Sequence, residues 1–317
     1  MSESDYFNKY DIKAEELYDL EKFSEAIEFL EPAFEEFPEQ YFFIAWRVLV
    51  CYRNMGQFDK CLQIVNGGVK RGYFFNLQWK SWDPIREVDG AEPILAENDR
   101  LKAEAEKDTK VRYEVHLPDG YTQENRSPLF LAMHCDSGFF GNVDEHRRRW
   151  KPDAMLRRDF IVVYLQSSQL LSSEGSEWEG NFQQARKDIR QCCDEVAANY
   201  TVDTEKVIAS GFSGGASVSI DIALKDIFPV KGFIALCPDK PEGFSRELCE
   251  NARQRGTRGV IMEGEETCDN PGLQEMESVF KEVGFPYELI INKGIGHWYP
   301  DDIAEKVGKA ITFILNE

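Results

Sequence analysis

The sequence predicts an α/β protein, with a mostly parallel sheet covered by helices on both faces and preceded by a small all-α helical repeat domain. Two observations predict it. Beyond residue 108, short apolar runs alternate with amphipathic stretches, as expected of a parallel sheet buried on both sides. Before that point, apolar residues recur at helical spacing and the pattern repeats once at a fixed offset.

In residues 11–72, Ala14, Leu17 and Tyr18 share one helix face, and Phe23, Ala26, Ile27 and Leu30 continue the pattern after a polar break. Residues 20–26 superimpose on 55–61 at an offset of 35, which sets Leu30 on Val65 and Leu17 on Tyr52. The period, and the small residue three after the aromatic (Ala26, Cys61), resemble tetratricopeptide repeats, whose stacked helix pairs bury faces that one pair cannot. Two copies are fewer than usually stand alone, so they are expected to lean on the following segment or on a second domain. A helical surface of this kind is where a protein partner or self-association is expected. The acidic, Ala/Glu/Lys-rich stretch 79–108, broken by Pro84 and Pro93, reads as a turn and a connecting helix over 93–107. The expected domains are thus 1–108, helical, and 109–317, α/β.

In the second part the predicted strands are 111–117, 128–134, 160–165, 206–210, 232–237, 258–263 and 287–292. Helices are predicted over 181–200, 214–226, 271–284 and 301–315. That length leaves little room for a separate lid.

A net charge of −20 opposes nucleic acid or an anionic membrane surface as the main partner, because neutralising phosphates needs clustered Lys and Arg. The one dense basic run, Arg147, Arg148, Arg149 and Lys151, reads as a solvated face. There is neither an apolar run of membrane-spanning length nor an apolar N-terminal leader, so a cytoplasmic protein is expected. Eight cysteines at irregular spacings, without a CxxC pair, suit reduced thiols; no disulfide and no structural zinc is expected.

The chemistry concentrates around one serine. Residues 207–210 form a short apolar strand that runs directly into Gly211, Phe212, Ser213, Gly214 and Gly215 and then a helix. Gly-x-Ser-x-Gly at such a junction holds a nucleophile on a strained turn, where only small neighbours let strand and helix approach closely enough to expose the hydroxyl. A serine hydroxyl needs an imidazole to take its proton. Of the four histidines, His116, His134, His146 and His297, only His297 follows Ser213.

With strand, elbow and helix in sequence, and 200–206 leading into them, the stretch 111–317 resembles the α/β-hydrolases, in particular esterases of the polyhydroxybutyrate-depolymerase, feruloyl-esterase and carboxylesterase kind. The resemblance implies an α/β-hydrolase fold and the chain order Ser, acid, His, which His297 satisfies in a Gly-x-Gly-His loop. It places the oxyanion-hole N–H groups at Gly214 and, after the strand ending at His134, at Asp136. That second loop departs from the family, since Cys135 replaces a glycine and Asp136 brings a carboxylate whose side chain must point away. His134 is expected to orient this loop.

The family frame around Gly264 and Pro271 puts Thr267 where the acid of the triad belongs. Asp269 is the favoured substitute, with Glu266, Asp239 or no acid as alternatives. The acidic cluster over 263–269 has no histidine beside it in sequence and is not expected to bind calcium. Trp178 and Glu179 lie in a loop, 172–181, expected to rim the crevice, where Trp178 suits either substrate contact or core. The resulting expectation is a cofactor-free carboxylic ester hydrolase working on a small-molecule ester through an acyl-enzyme. The alternative is a weak or inactive hydrolase-fold scaffold that binds a protein through its helices.

Overall fold

The structure is a computed structural model that describes residues 6–316. Two compact units divide the chain. One runs up to Asp108 and includes Leu170–Gly175; the other comprises Thr109–Gln169 and the chain from Ser176 onwards.

The first unit is built from helices α1 (Ile12–Asp19), α2 (Phe23–Leu30), α3 (Tyr41–Asn54), α4 (Phe58–Val69) and α5 (Ala91–Glu106). Each packs on the next in order from α1 to α4, and α5 and the short helical turn Lys80–Glu87 pack on α4. The 35-residue offset reappears as geometry: α2 and α4 start at Phe23 and Phe58, and the turns before them pass through Glu21 (φ 57°) and Gly56 (φ 69°). Ala14, Leu17, Ala26, Ile27 and Leu30 are buried together with Val48 and Cys51 of α3. Within this core Arg47 Nε donates to Asp11 Oδ1 at 3.0 Å, and both side chains are buried. Segment Leu170–Gly175 joins the unit through Ser173, whose hydroxyl accepts from Phe74 N–H at 2.8 Å and whose own N–H donates to the Phe74 carbonyl at 3.0 Å. The loop read from sequence as one rim segment over 172–181 is therefore shared between two units.

The second unit holds a seven-stranded sheet: β1 (Arg112–His116), β2 (Ser127–Met133), β3 (Ile161–Gln166), β4 (Val202–Phe212), β5 (Gly232–Leu236), β6 (Arg258–Gly264) and β7 (Tyr287–Asn292). Their spatial order is β1-β3-β2-β4-β5-β6-β7, with β1 antiparallel to β3 and every other pair parallel. Side chains of a strand alternate between faces, and here both faces are apolar. Phe130, Ala132, Val162, Tyr164, Ile208, Ile234 and Val260 face one core, against α11 (Ile303–Leu315). Leu129, Leu131, Val163, Val207 and Ala209 face the other, against α7 (Phe182–Asn199) and α8 (Gly214–Lys225). Phe233, Ala235 and Ile261 continue that face against α8, α9 (Arg246–Gln254) and α10 (Pro271–Val283). The short α6 (Val143–Arg149) carries the basic run, whose arginines pair with Glu114, Asp144 and Glu145. Among the described residues no helix is long and apolar enough to cross a membrane.

Candidate active site

In a parallel sheet, ligands bind beyond the carboxyl ends of the strands. Five adjacent strands deliver candidate residues there: Asp136 after β2, Ser213 after β4, Cys237 after β5, Glu263 next to the end of β6, and His297 after β7.

Ser213 stands between β4 and α8 with φ 54° and ψ −121°, a left-handed backbone that costs a non-glycine residue on the order of 1–3 kcal/mol. The turn is held by the Ser213 N–H on the Leu236 carbonyl at 2.9 Å and by its own carbonyl accepting from the Ala216 and Ser217 N–H groups at 2.8 and 3.0 Å. Glycine is dictated on both sides. A β-carbon on Gly211 would overlap the Gly215 backbone, and one on Gly215 would overlap the carbonyls of Met133 and His134.

His297 approaches from the loop after β7, its ring 5.1 Å from that of Phe212, the residue before Ser213. Burial lowers its pKa, against the opposing pull of Glu263 and then Asp239. Among the described residues the Ser213 hydroxyl makes no side-chain hydrogen bond.

The carboxylate brought to the imidazole is that of Glu263. His297, Glu263 and Cys237 present a nitrogen, an oxygen and a sulfur all within 4.8 Å of one another. Close backbone contact is the cause: a β-carbon on Gly264 would overlap the Gly296 carbonyl, so the histidine loop lies directly on the end of β6. Glu263 Oε1 accepts from the Thr267 hydroxyl at 2.7 Å and from the Gly264 N–H at 2.9 Å.

The acids named from the sequence lie elsewhere. Asp269 is exposed and its carboxylate accepts from Gln274 Nε2 at 2.9 Å; the carboxylate beside His297 is that of Glu263. Glu266 is exposed and contributes its backbone N–H to the Ile295 carbonyl. Asp239 is exposed, with its N–H on the Ser217 hydroxyl at 3.0 Å, and reaches His297 only as a neighbouring charge. Glu263 was missed because the family frame counts onward from Gly264, one residue too late. The signal was there: a lone acid ends the otherwise apolar run of 259–262, inside a sheet covered on both faces.

The Asp136 carboxylate turns onto two backbone donors, the N–H groups of Trp178 (2.7 Å) and Glu179 (3.0 Å). It also fills the space a β-carbon on Gly214 would occupy, so the glycine after Ser213 is required by the acid beside it. Burial pushes this carboxyl up to about 8, so it carries its proton at neutral pH and sets no full charge beside the elbow. Gly214 opens α8, where its N–H has no carbonyl one turn back to bond. His134 is fully buried; its Nδ1 lies 2.7 Å from the Cys135 carbonyl and its Nε2 accepts from Ser167 N–H at 3.2 Å, which ties down the loop as expected. Trp178 is wholly buried with its ring 5.2 Å from that of His134, so it belongs to the core.

No family model matches the chain, and no curated protein matches it. Solved structures do. An uncharacterized protein from Bacillus cereus ATCC 10987 aligns over 100% of this chain and 99% of its own, with a TM-score of 0.55 at 20% identity. The fold is that of the α/β hydrolases. A Bacillus cereus carboxylesterase aligns over 67% of this chain and 99% of its own (TM-score 0.51, 15% identity). A dienelactone hydrolase-like promiscuous phosphotriesterase from metagenomic libraries aligns over 66% and 93% (TM-score 0.51, 15% identity).

Proposed function

We propose that this protein is a serine hydrolase acting on carboxylic esters of small molecules through an acyl-enzyme. The observation that carries the reading is Ser213 held at positive φ on a strand-to-helix elbow, with His297 and Glu263 gathered at the ends of neighbouring strands. Ser213 attacks the ester carbonyl while His297 takes its proton, later returning it to the departing alkoxide. Glu263, fixed by Thr267 and Gly264, orients the imidazole and stabilises its charged form. The N–H groups of Gly214 and Asp136 stabilise the oxyanion, and the side chain of Asp136, held by the N–H groups of Trp178 and Glu179, supports that assignment by fixing the loop. The carboxylesterase among the structural neighbours shares this fold, which is consistent with an ester substrate. No resident cofactor is needed for this chemistry.

For the helical unit we adopt the tetratricopeptide-like reading, supported by the matched helix starts at Phe23 and Phe58, with a protein partner or self-association as its role. A cytoplasmic location is part of this reading, on the irregular spacing of the eight cysteines.

Turnover of short-chain p-nitrophenyl esters tests the reading, with Ser213→Ala and His297→Ala proteins alongside and labelling by a fluorophosphonate as an independent report of an activated serine. Activity and labelling that both substitutions abolish support it. Turnover by the unmodified protein no faster than that of Ser213→Ala, together with no labelling, rejects it in favour of a scaffold.

A further inference from the structure

Cys237 is not needed for acyl transfer, yet it is built into the site. It follows β5 at φ 50°, a conformation few non-glycine residues adopt, and its N–H is fixed on the Met262 carbonyl at 2.8 Å. This turn aims a buried sulfur at Glu263 and His297, with the three donor atoms within 4.8 Å of one another.

One thiolate, one carboxylate and one imidazole are the donor types that zinc prefers, at metal–ligand distances of about 2.0–2.3 Å. Donors around a tetrahedral ion stand about 3.3–3.8 Å apart on that geometry, so the observed cluster closes on a metal with side-chain movements of an ångström or so. Charge favours it too. A divalent cation with one thiolate and one carboxylate is neutral, which suits a position where Cys237 and Glu263 are buried. His297 is only partly buried and gives the ion a way in, and a fourth position stays open to water.

We propose that Cys237, Glu263 and His297 form an inhibitory site for zinc or a similar divalent transition metal. On binding, the Cys237 thiol loses its proton to solvent and the sulfur, the Glu263 carboxylate and one imidazole nitrogen coordinate the ion; nothing is oxidised. A neutral imidazole has a single basic nitrogen. Once the metal holds it, the other nitrogen carries the proton and cannot accept one from Ser213. The inhibition, though not the binding, rests on the reading of His297 as the base.

Cobalt(II) titration of the full-length reduced protein reads the site without reference to activity, because a cobalt–thiolate bond gives an intense near-ultraviolet charge-transfer band. The expected result is a band present in the unmodified protein and in Cys268→Ser, displaced by zinc, and lost in Cys237→Ser and Cys237→Ala, each checked for folding by its melting curve. Zinc should also suppress p-nitrophenyl ester turnover reversibly on chelation, with sensitivity reduced about tenfold or more in Cys237→Ser relative to that variant's own metal-free rate. Absence of the band in the unmodified protein, its survival in both folded Cys237 variants, or zinc binding at the cysteine without inhibition of an active enzyme overturns the proposal. A protein with the band and no esterase activity retains the metal site and loses the hydrolase reading, so the two failures are told apart.

Discussion

The Thr267 hydroxyl donates to Glu263 Oε1 at 2.7 Å, so the threonine found where the family keeps its acid serves the acid that stands four residues earlier. Thr267→Val removes one of two donors on that oxygen, a bond to a charged group being worth about 1.5–3 kcal/mol, and should lower kcat by roughly tenfold. Glu263→Gln should cost on the order of 10³–10⁴, as loss of a triad acid does. Asp269→Asn should leave ester turnover within about a factor of two, as surface changes away from special features do. A loss in Asp269→Asn as large as that in Glu263→Gln would reinstate the acid expected from the sequence.

As the proposed base His297 must be neutral to act, and burial lowers its pKa from the ordinary 6.5. Activity should therefore fall as pH drops through a midpoint below 6.5 in kcat/KM. Glu263 and Asp239 pull the other way by favouring the imidazolium. Residual activity in Glu263→Gln should accordingly show its acid limb at still lower pH, with a smaller displacement in Asp239→Asn. A limb displaced upward would contradict the geometry.

Asp136 titrates near 8 in the folded protein and near 3.8 when exposed. Between those values the folded state holds a proton that the unfolded state has lost, so stability contributed by this group declines as pH rises through the window and levels off above it. Urea unfolding from pH 5 to 9 should show this slope, and Asp136→Asn should flatten it. Ionisation above about 8 also places charge against Gly214, where an oxyanion would form, so an alkaline decline in kcat/KM that Asp136→Asn abolishes is expected from the same group.

In the helical unit, Asp11 and Arg47 form a buried pair at 3.0 Å. Asp11→Ala leaves the buried guanidinium with Glu15, 3.7 Å away, in place of its closer carboxylate, with an expected loss of up to about 3–5 kcal/mol, whereas Asp11→Ala combined with Arg47→Met should recover much of it. Denaturant unfolding of the full chain followed by far-ultraviolet circular dichroism measures both.

What could be read from the sequence was local. The seven strands were legible because continuous apolar runs such as 129–133 and 259–262 are the mark of strands covered on both faces, and the elbow was legible because three glycines bracket one serine. Helix α9 was not: in Arg246–Gln254 only Cys249 and Ala252 are buried, too few to show a period among so many charges. Glu263 escaped for a different reason. Its partner is 34 positions away in His297, and the two meet through the pairing of β6 with β7 and the close approach of Gly264 to Gly296. Trp178 and Asp136 likewise take their meaning from a contact across 42 residues that no spacing rule encodes.

The absence of clearance around Gly215 bears on how this protein should fail when heated. With its α-carbon seated on the Met133 and His134 carbonyls, the start of α8 cannot slide over the end of β2, and serine and oxyanion loop are locked into one rigid block. Warming then has no gradual route by which the site drifts out of alignment while the rest stays intact. Inactivation should coincide with the cooperative melting of the whole α/β unit, rather than precede it.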